Sequence, residues 1–126
     1  MLDWNHAGAT IQRLVVMTLL LVLAPTALAE TLAGRVVGVA DGDTLTVLDS
    51  ERHQHKIRLA GIDAPEKGQA YGQASKLALS DAVFGRQVSI EWVKRDRYNR
   101  IIGKVLVPGH DAGLQQLRTG MAWHYK

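Results

Sequence analysis

Beyond Glu30 the hydrophobic and polar positions alternate with a period of two, broken by one long stretch of helical period and, near the C-terminus, by a short one. Val37 and Val39 begin the alternation, Asp41-Gly42-Asp43 supplies a turn, and Leu45 and Val47 then alternate with Thr44 and Thr46. Side chains that switch faces at every residue make this a hairpin with one buried face. A polar loop from Asp49 to Gln54 leads into Ile57-Arg58-Leu59-Ala60, where Ile57 and Leu59 share one face and Arg58 points to the other. From Gln69 to Phe84 the period changes: Ala70, Ala74, Leu77 and Ala78 recur at helical spacing, and Gly85 suits a helix C-terminus. Val88, Ile90 and Trp92 mark a fourth strand and Ile101 to Val107 a fifth, joined by the charged stretch from Lys94 to Arg100. Asp111 caps a short helix carrying Leu114 and Leu117 and ended by Gly120. The expected fold class is mainly β with α. Five strands with a helix between the third and fourth and a short C-terminal helix fit a five-stranded barrel of the oligonucleotide-binding (OB) type. The strand count alone fits an open α+β sheet equally well.

The residues ahead of this pattern read differently. Arg13 precedes the apolar run Leu14 to Ala24, followed by Pro25 and the small-residue sequence Ala27-Leu28-Ala29. That order is the signature of a signal peptide cleaved after Ala29. A bilayer span needs about 20 apolar residues, more than this run offers, and Pro25 interrupts it. The expectation is a signal peptide over residues 1–29 and a mature domain over residues 30–126. The product is exported to a periplasm or the medium and has no stable membrane association after cleavage. With 126 residues in all, the chain has room for one domain.

Composition changes this picture only at the margin. The net charge of +3 favours a polyanionic partner without requiring one. The absence of Cys excludes a disulfide framework and a thiolate metal site.

Candidate chemistry sits at the ends of the expected strands. Asp41-Gly42-Asp43-Thr44 places two carboxylates at a turn, and Asp63-Ala64-Pro65-Glu66 places two more past another strand. Hard divalent cations take several oxygen ligands, so carboxylates from two adjacent strand ends suit a shallow cation site. Each motif alone reads as turn chemistry. Arg58 and Arg100 sharpen the combination, because a guanidinium holds two phosphate oxygens at once and keeps its charge at any working pH. Cleaving a phosphodiester needs a nucleophile, neutralisation of charge growing on the non-bridging oxygens, and a geometry aligning the two. Taken singly, Arg58 reads as a surface ion-pair partner and Arg100 as part of a solvated basic loop.

Asp41-Gly42-Asp43-Thr44, the run Arg58 to Glu66, Tyr71-Gly72 and Asp96-Arg97-Tyr98-Asn99-Arg100 together resemble the ordered signature of the staphylococcal nuclease family. The resemblance extends from about Gly34 to Tyr125. It implies the five-stranded barrel and a calcium-dependent nuclease acting on DNA and RNA with little sequence specificity. By the family's motif, Asp43, Asp63 and the carbonyl of Ala64 ligate calcium, Glu66 acts as general base, and Arg58 and Arg100 grip the scissile phosphate. Asp41 falls beside the metal site and shapes it. The substrate is expected to be single-stranded or denatured and the enzyme a monomer. Tyr98 and Tyr125 are open to stacking on a base or to packing, whereas Trp123 reads as core. His53, His55, His110 and His124 fall outside the matched motifs and carry no assigned role.

Two other readings stand beside this one. An OB-type barrel can bind nucleic acid or protein without chemistry, although such a role would not require all of Asp43, Arg58, Asp63, Glu66 and Arg100. Family members also continue past Gly120-Met121-Ala122-Trp123-His124-Tyr125 into a further helix, while this chain stops at Lys126. A truncated, inactive remnant with exposed apolar surface and low stability is therefore the third expectation.

Overall fold

The computed structural model of the chain describes residues 28–125, so the expected signal peptide lies almost wholly outside the described range. The elements run β1 (Glu30–Asp41), β2 (Thr44–Leu48), β3 (Gln54–Leu59), β4 (Ile62–Asp63), α1 (Gly72–Val83), β5 (Gln87–Arg95), β6 (Ile101–Val107), β7 (His110–Asp111), α2 (Ala112–Arg118) and β8 (Trp123–His124). Five principal strands follow the order β3-β2-β1-β5-β6, and a parallel pairing of β3 with β6 closes the ring. Closure is set by Ile57 opposite Ile101, Arg58 opposite Ile102 and Leu59 opposite Gly103. A closed barrel removes the exposed strand edges of the open-sheet alternative. The fold is therefore the expected OB-type barrel, with α1 between its third and fourth strands and α2 near the C-terminus.

Alternation explains the core. Leu45 and Val47 on β2, Ile57 and Leu59 on β3, Val88 and Ile90 on β5, and Ile101 and Val105 on β6 point inward and are buried. β1 departs from the expected phase. It begins at Glu30, seven residues before Val37, and serves two partners, β5 through its first half and β2 through its second. Val36 is buried, while Val37 and Val39 are only partly so. Register breaks between Val36 and Gly38 and between Val39 and Asp41 account for this, since each extra residue shifts which side chains face the core.

α1 also presents a different face from the expected one. Gly72, Ser75, Leu79 and Val83 are buried, whereas Ala70, Ala74 and Leu77 are exposed. Small residues surround this helix, so apolarity selects no side strongly and close approach decides. A Cβ on Gly72 would lie 1.8 Å from the Glu66 carbonyl oxygen, and one on Gly42 would lie 1.7 Å from Ser75 Oγ.

α2 starts where expected, with the Asp111 carboxylate accepting from the Leu114 N–H at 3.1 Å. Its buried side is Ala112, Gly113 and Gln116, and Leu114 is exposed. The buried Gln116 amide donates to the carbonyls of Gly42 at 2.9 Å and Ser75 at 3.0 Å. Ser75 Oγ donates to the Met121 carbonyl at 2.6 Å. One polar knot thus fastens the β1–β2 turn to both helices and to the segment leading into β8. Among the described residues no helix is long and apolar enough to cross a membrane.

Candidate active site

Arg58 emerges from β3 on the outer face because its neighbours Ile57 and Leu59 are committed to the core. Its Nη1 donates to the carbonyls of Leu59 at 3.1 Å and Ile62 at 2.8 Å, which fixes the guanidinium plane over the β3–β4 turn. Its Nη2 lies 3.4 Å from Asp43 Oδ2 and 3.3 Å from Asp63 Oδ1. Two carboxylates from separate strand ends therefore converge on one nitrogen of one cation.

Asp43 is buried at the tight turn between β1 and β2. Oδ1 accepts from Thr44 Oγ1 at 2.9 Å and Oδ2 accepts from the Ala64 N–H at 2.8 Å. That second bond, across 21 residues of sequence, is what brings the Asp63-Ala64 segment beside the turn. Asp41 accepts from the Lys67 N–H at 3.1 Å and so anchors the same loop further along. Glu66 is exposed on that loop. Its N–H donates to Gln69 Oε1 at 2.8 Å, and its carbonyl accepts from the Gln69 N–H at 2.8 Å, packed beneath Gly72. Among the described residues nothing bonds to the Glu66 carboxylate, in contrast to the held carboxylates of Asp43 and Asp63.

Arg100 ends the β5–β6 turn, where Asn99 adopts φ 62°. Asp96 accepts from Tyr98 N–H and Arg100 N–H, both at 2.9 Å, and from Arg100 Nε at 2.7 Å. Burial disfavours the ionised form of this carboxyl, but the bonds from the Arg100 backbone and side chain and from the Tyr98 backbone prevail, holding it below the usual carboxylate value. Two guanidinium groups lie over the Tyr98 ring, Arg97 at 4.9 Å and Arg100 at 5.4 Å from its centre.

Arg58 and Arg100 line one cavity of about 460 Å³, shared with Lys94, Asp96, Ile102 and Tyr125. The parallel β3–β6 pairing, which sets Arg58 opposite Ile102, brings them together. Glu66 lies outside that lining, on the loop beyond Asp63. A larger cavity of about 710 Å³ between α1 and α2, bordered by Asp81, Arg86 and His110, holds none of the expected site residues. Size alone does not identify the site.

Lys94 and Tyr125 were not assigned to this cavity from the sequence. Tyr125 reaches it because its N–H donates to the Gly61 carbonyl at 3.0 Å, and nothing in local spacing announces that contact. Trp123, expected in the core, is 52% exposed. β8 pairs with the two-residue β4, outside the barrel, so Trp123 stands opposite Asp63 rather than in the core.

The donor chemistry at Asp43 and Asp63 suits a hard cation: two carboxylates converge where one guanidinium supplies a single positive charge. Among the described residues no group of three or more His, Asp or Glu side chains is gathered closely enough to hold a metal by itself. Any ion there would depend on the Ala64 carbonyl, water and substrate oxygens for its remaining ligands.

These features define a class: an OB-type barrel whose outer face carries a cavity lined by Arg58, Lys94 and Arg100. Residues 56–126 match the family model described as staphylococcal nuclease homologue, and the chain belongs to that family. It is 47% identical over 92 residues to an "Uncharacterized endonuclease" of Haemophilus influenzae, a match covering 73% of this chain and 52% of that protein. It is 45% identical to an "Uncharacterized endonuclease" of Escherichia coli over 79% of this chain and 65% of that protein. It is also 40% identical to a "Micrococcal nuclease" of Shigella flexneri over 74% of this chain and 58% of that protein. The matches thus span between about half and two thirds of these relatives' length.

Proposed function

We propose that this protein is a calcium-dependent nuclease that hydrolyses phosphodiester bonds in DNA and RNA with little sequence specificity. The observation that carries the reading is the shared cavity of Arg58 and Arg100, with Arg58 held between Asp43 and Asp63. Two guanidinium groups on one cavity can take the non-bridging oxygens of a phosphate and stabilise the charge that grows there as a fifth oxygen bonds to phosphorus. Glu66, whose carboxylate is not committed to a partner, takes the proton from a water. That water's oxygen then bonds to phosphorus as the bond to the leaving oxygen breaks, and the leaving oxygen acquires a proton from solvent. Asp43, Asp63 and the Ala64 carbonyl would hold calcium, which polarises the phosphate when bound. The protein supplies few charges to it, so affinity is modest and rises with substrate.

Contacts to phosphate carry no sequence information, which supports broad specificity. Exposed Tyr98 and the cavity-lining Tyr125 suit unpaired bases, which supports single-stranded or denatured substrate. The reading includes action as a monomer. The Arg13 to Ala29 pattern supports export of the mature domain to a periplasm or the medium.

Purified protein incubated with denatured DNA and calcium is expected to degrade it, and a chelator to stop the reaction. Glu66→Gln, Arg58→Ala and Arg100→Ala are each expected to lower kcat by roughly 10²-fold. Near-full activity in all three would end the mechanism. Tight oligonucleotide binding without cleavage by the parent would favour the binding-module reading instead.

A further inference from the structure

The cavity of Arg58 and Arg100 contains a third cation that the proposed reaction does not use. Lys94 lines it, and its position there is the product of a register break. β5 and β6 pair Trp92 with Gly103 and then Lys94 with Ile102, skipping Val93. In an unbroken antiparallel ladder Val93 would stand opposite Ile102, and Lys94 would take the place opposite Ile101 that Arg95 now holds. Directly paired residues share a face, so Lys94 would then lie on the other side of the sheet from Arg58. The extra residue re-aims Lys94, a known use of such bulges beside functional sites, and leaves the Val93 side chain exposed.

The row continues across the barrel. Ile102 is paired with Arg58, and Arg58 with Thr44, so Lys94, Ile102, Arg58 and Thr44 stand side by side on four adjacent strands. Two strand spacings put Lys94 roughly 10 Å from Arg58 at the backbone, a gap its four-carbon stem can shorten. The charges on the cavity wall differ in their engagement. Arg58 is held by Asp43 and Asp63, and Arg100 by Asp96. Among the described residues no carboxylate stands within ion-pair distance of Lys94. Its charge is the uncompensated one, and as a mobile point charge it suits a backbone phosphate whose position varies.

We propose that Lys94 forms a subsite for the phosphate adjacent to the scissile one on a single nucleic-acid strand. The assignment rests on the reading of Arg58 and Arg100 as the grip on the scissile phosphate. It is tested by comparing the parent with Lys94→Gln, Lys94→Arg and Arg118→Gln, the last removing an exposed charge on α2 outside the cavity. Substrates are a single-stranded oligonucleotide and a dinucleoside monophosphate, which has no adjacent phosphate. On the oligonucleotide, Lys94→Gln is expected to raise KM about fivefold, with a smaller change in kcat. The dependence of log KM on log salt should flatten by about 0.7, the value for one single-strand phosphate contact. Lys94→Arg recovers most of the loss, and the penalty is distinctly smaller on the dinucleoside monophosphate. An equal KM penalty on both substrates, or an equal loss in Arg118→Gln, would overturn the subsite. If the parent cleaves neither substrate, the reading of the reaction fails separately. Fluorescence anisotropy with the oligonucleotide then decides the matter, and unchanged affinity and salt slope in Lys94→Gln would dismiss it.

Discussion

Arg58 makes four polar contacts that the alternation along its strand does not announce: two with the Leu59 and Ile62 carbonyls that flank the β3–β4 turn and two with the carboxylates of Asp43 and Asp63. Its outward direction was legible from the alternation of Ile57 and Leu59; its partners were not. The glycines of the matched motifs show the same division. Asp41-Gly42-Asp43 reads as ordinary turn chemistry, yet Gly42 is required by the approach of α1, since a Cβ would meet Ser75 Oγ and Cβ. Gly42→Ala is expected to destabilise the fold by about 1–3 kcal/mol, as overpacking does. A melting curve showing no loss would refute that account. Gly72 matters in another way, because its missing side chain admits backbone, the Glu66 carbonyl. Gly72→Ala must push the Glu66 loop aside, and misplacing a reacting group by about 1 Å costs roughly 10²-fold in rate. Turnover is therefore expected to fall far more in Gly72→Ala than in Gly42→Ala, which single-turnover kinetics on the two variants would check.

Among the elements, the strands were read well and the helices only in part. The period of two located β2, β3, β5 and β6, whereas β1 escaped full description because its two bulges reset the phase midway. For α1 the spacing of alanines pointed to the wrong side; packing on β1 instead chose Gly72, Ser75, Leu79 and Val83. The start of α2 was legible because capping is a local bond. Asp111→Ala is expected to cost about 1 kcal/mol, lowering Tm by roughly 4–8 °C in a domain of this size. The β5–β6 turn is equally local: Asp96 organises it through Tyr98 and Arg100. Because folding lowers the Asp96 pKa, the turn's contribution to stability is fully present above the ordinary carboxylate value of 3.8 and is lost as pH falls through the lowered folded value. Asp96→Asn should remove that acid-limb dependence and, by releasing Arg100, reduce turnover at neutral pH. Unchanged melting curves across pH 2–5 relative to the parent would contradict the assignment.

At the scale of the molecule, closure of the barrel does the assembling. The β3–β6 pairing sets Arg58 opposite Ile102, two residues past Arg100, so the same backbone bonds that seal the core gather the cationic cavity. The Asp43 to Ala64 bond draws in the acidic loop, and the Gln116 knot locks that turn to both helices. If Asp43 and Asp63 hold calcium in the native state only, the ion must stabilise folding by mass action. At ten times its dissociation constant the gain is about 1.4 kcal/mol, readable as a rise in Tm without any substrate. Asp63→Asn should abolish most of that rise, and a parent whose Tm ignores calcium would argue against the site.

Sequence alone determined the succession of the five principal strands and two helices along the chain, the capped start of α2, the outward aim of Arg58 and the residue types available for phosphate chemistry. Each of these depends on interactions a few residues apart, which leave a periodic or positional trace. Tertiary structure alone decided that the ring closes and which face of α1 is buried. It also decided that Trp123 stands half-exposed outside the barrel, and that Lys94 and Tyr125 join the two arginines. Those outcomes turn on bulges and on contacts between distant segments, where one inserted residue or one missing Cβ redirects a side chain without altering the pattern along the chain.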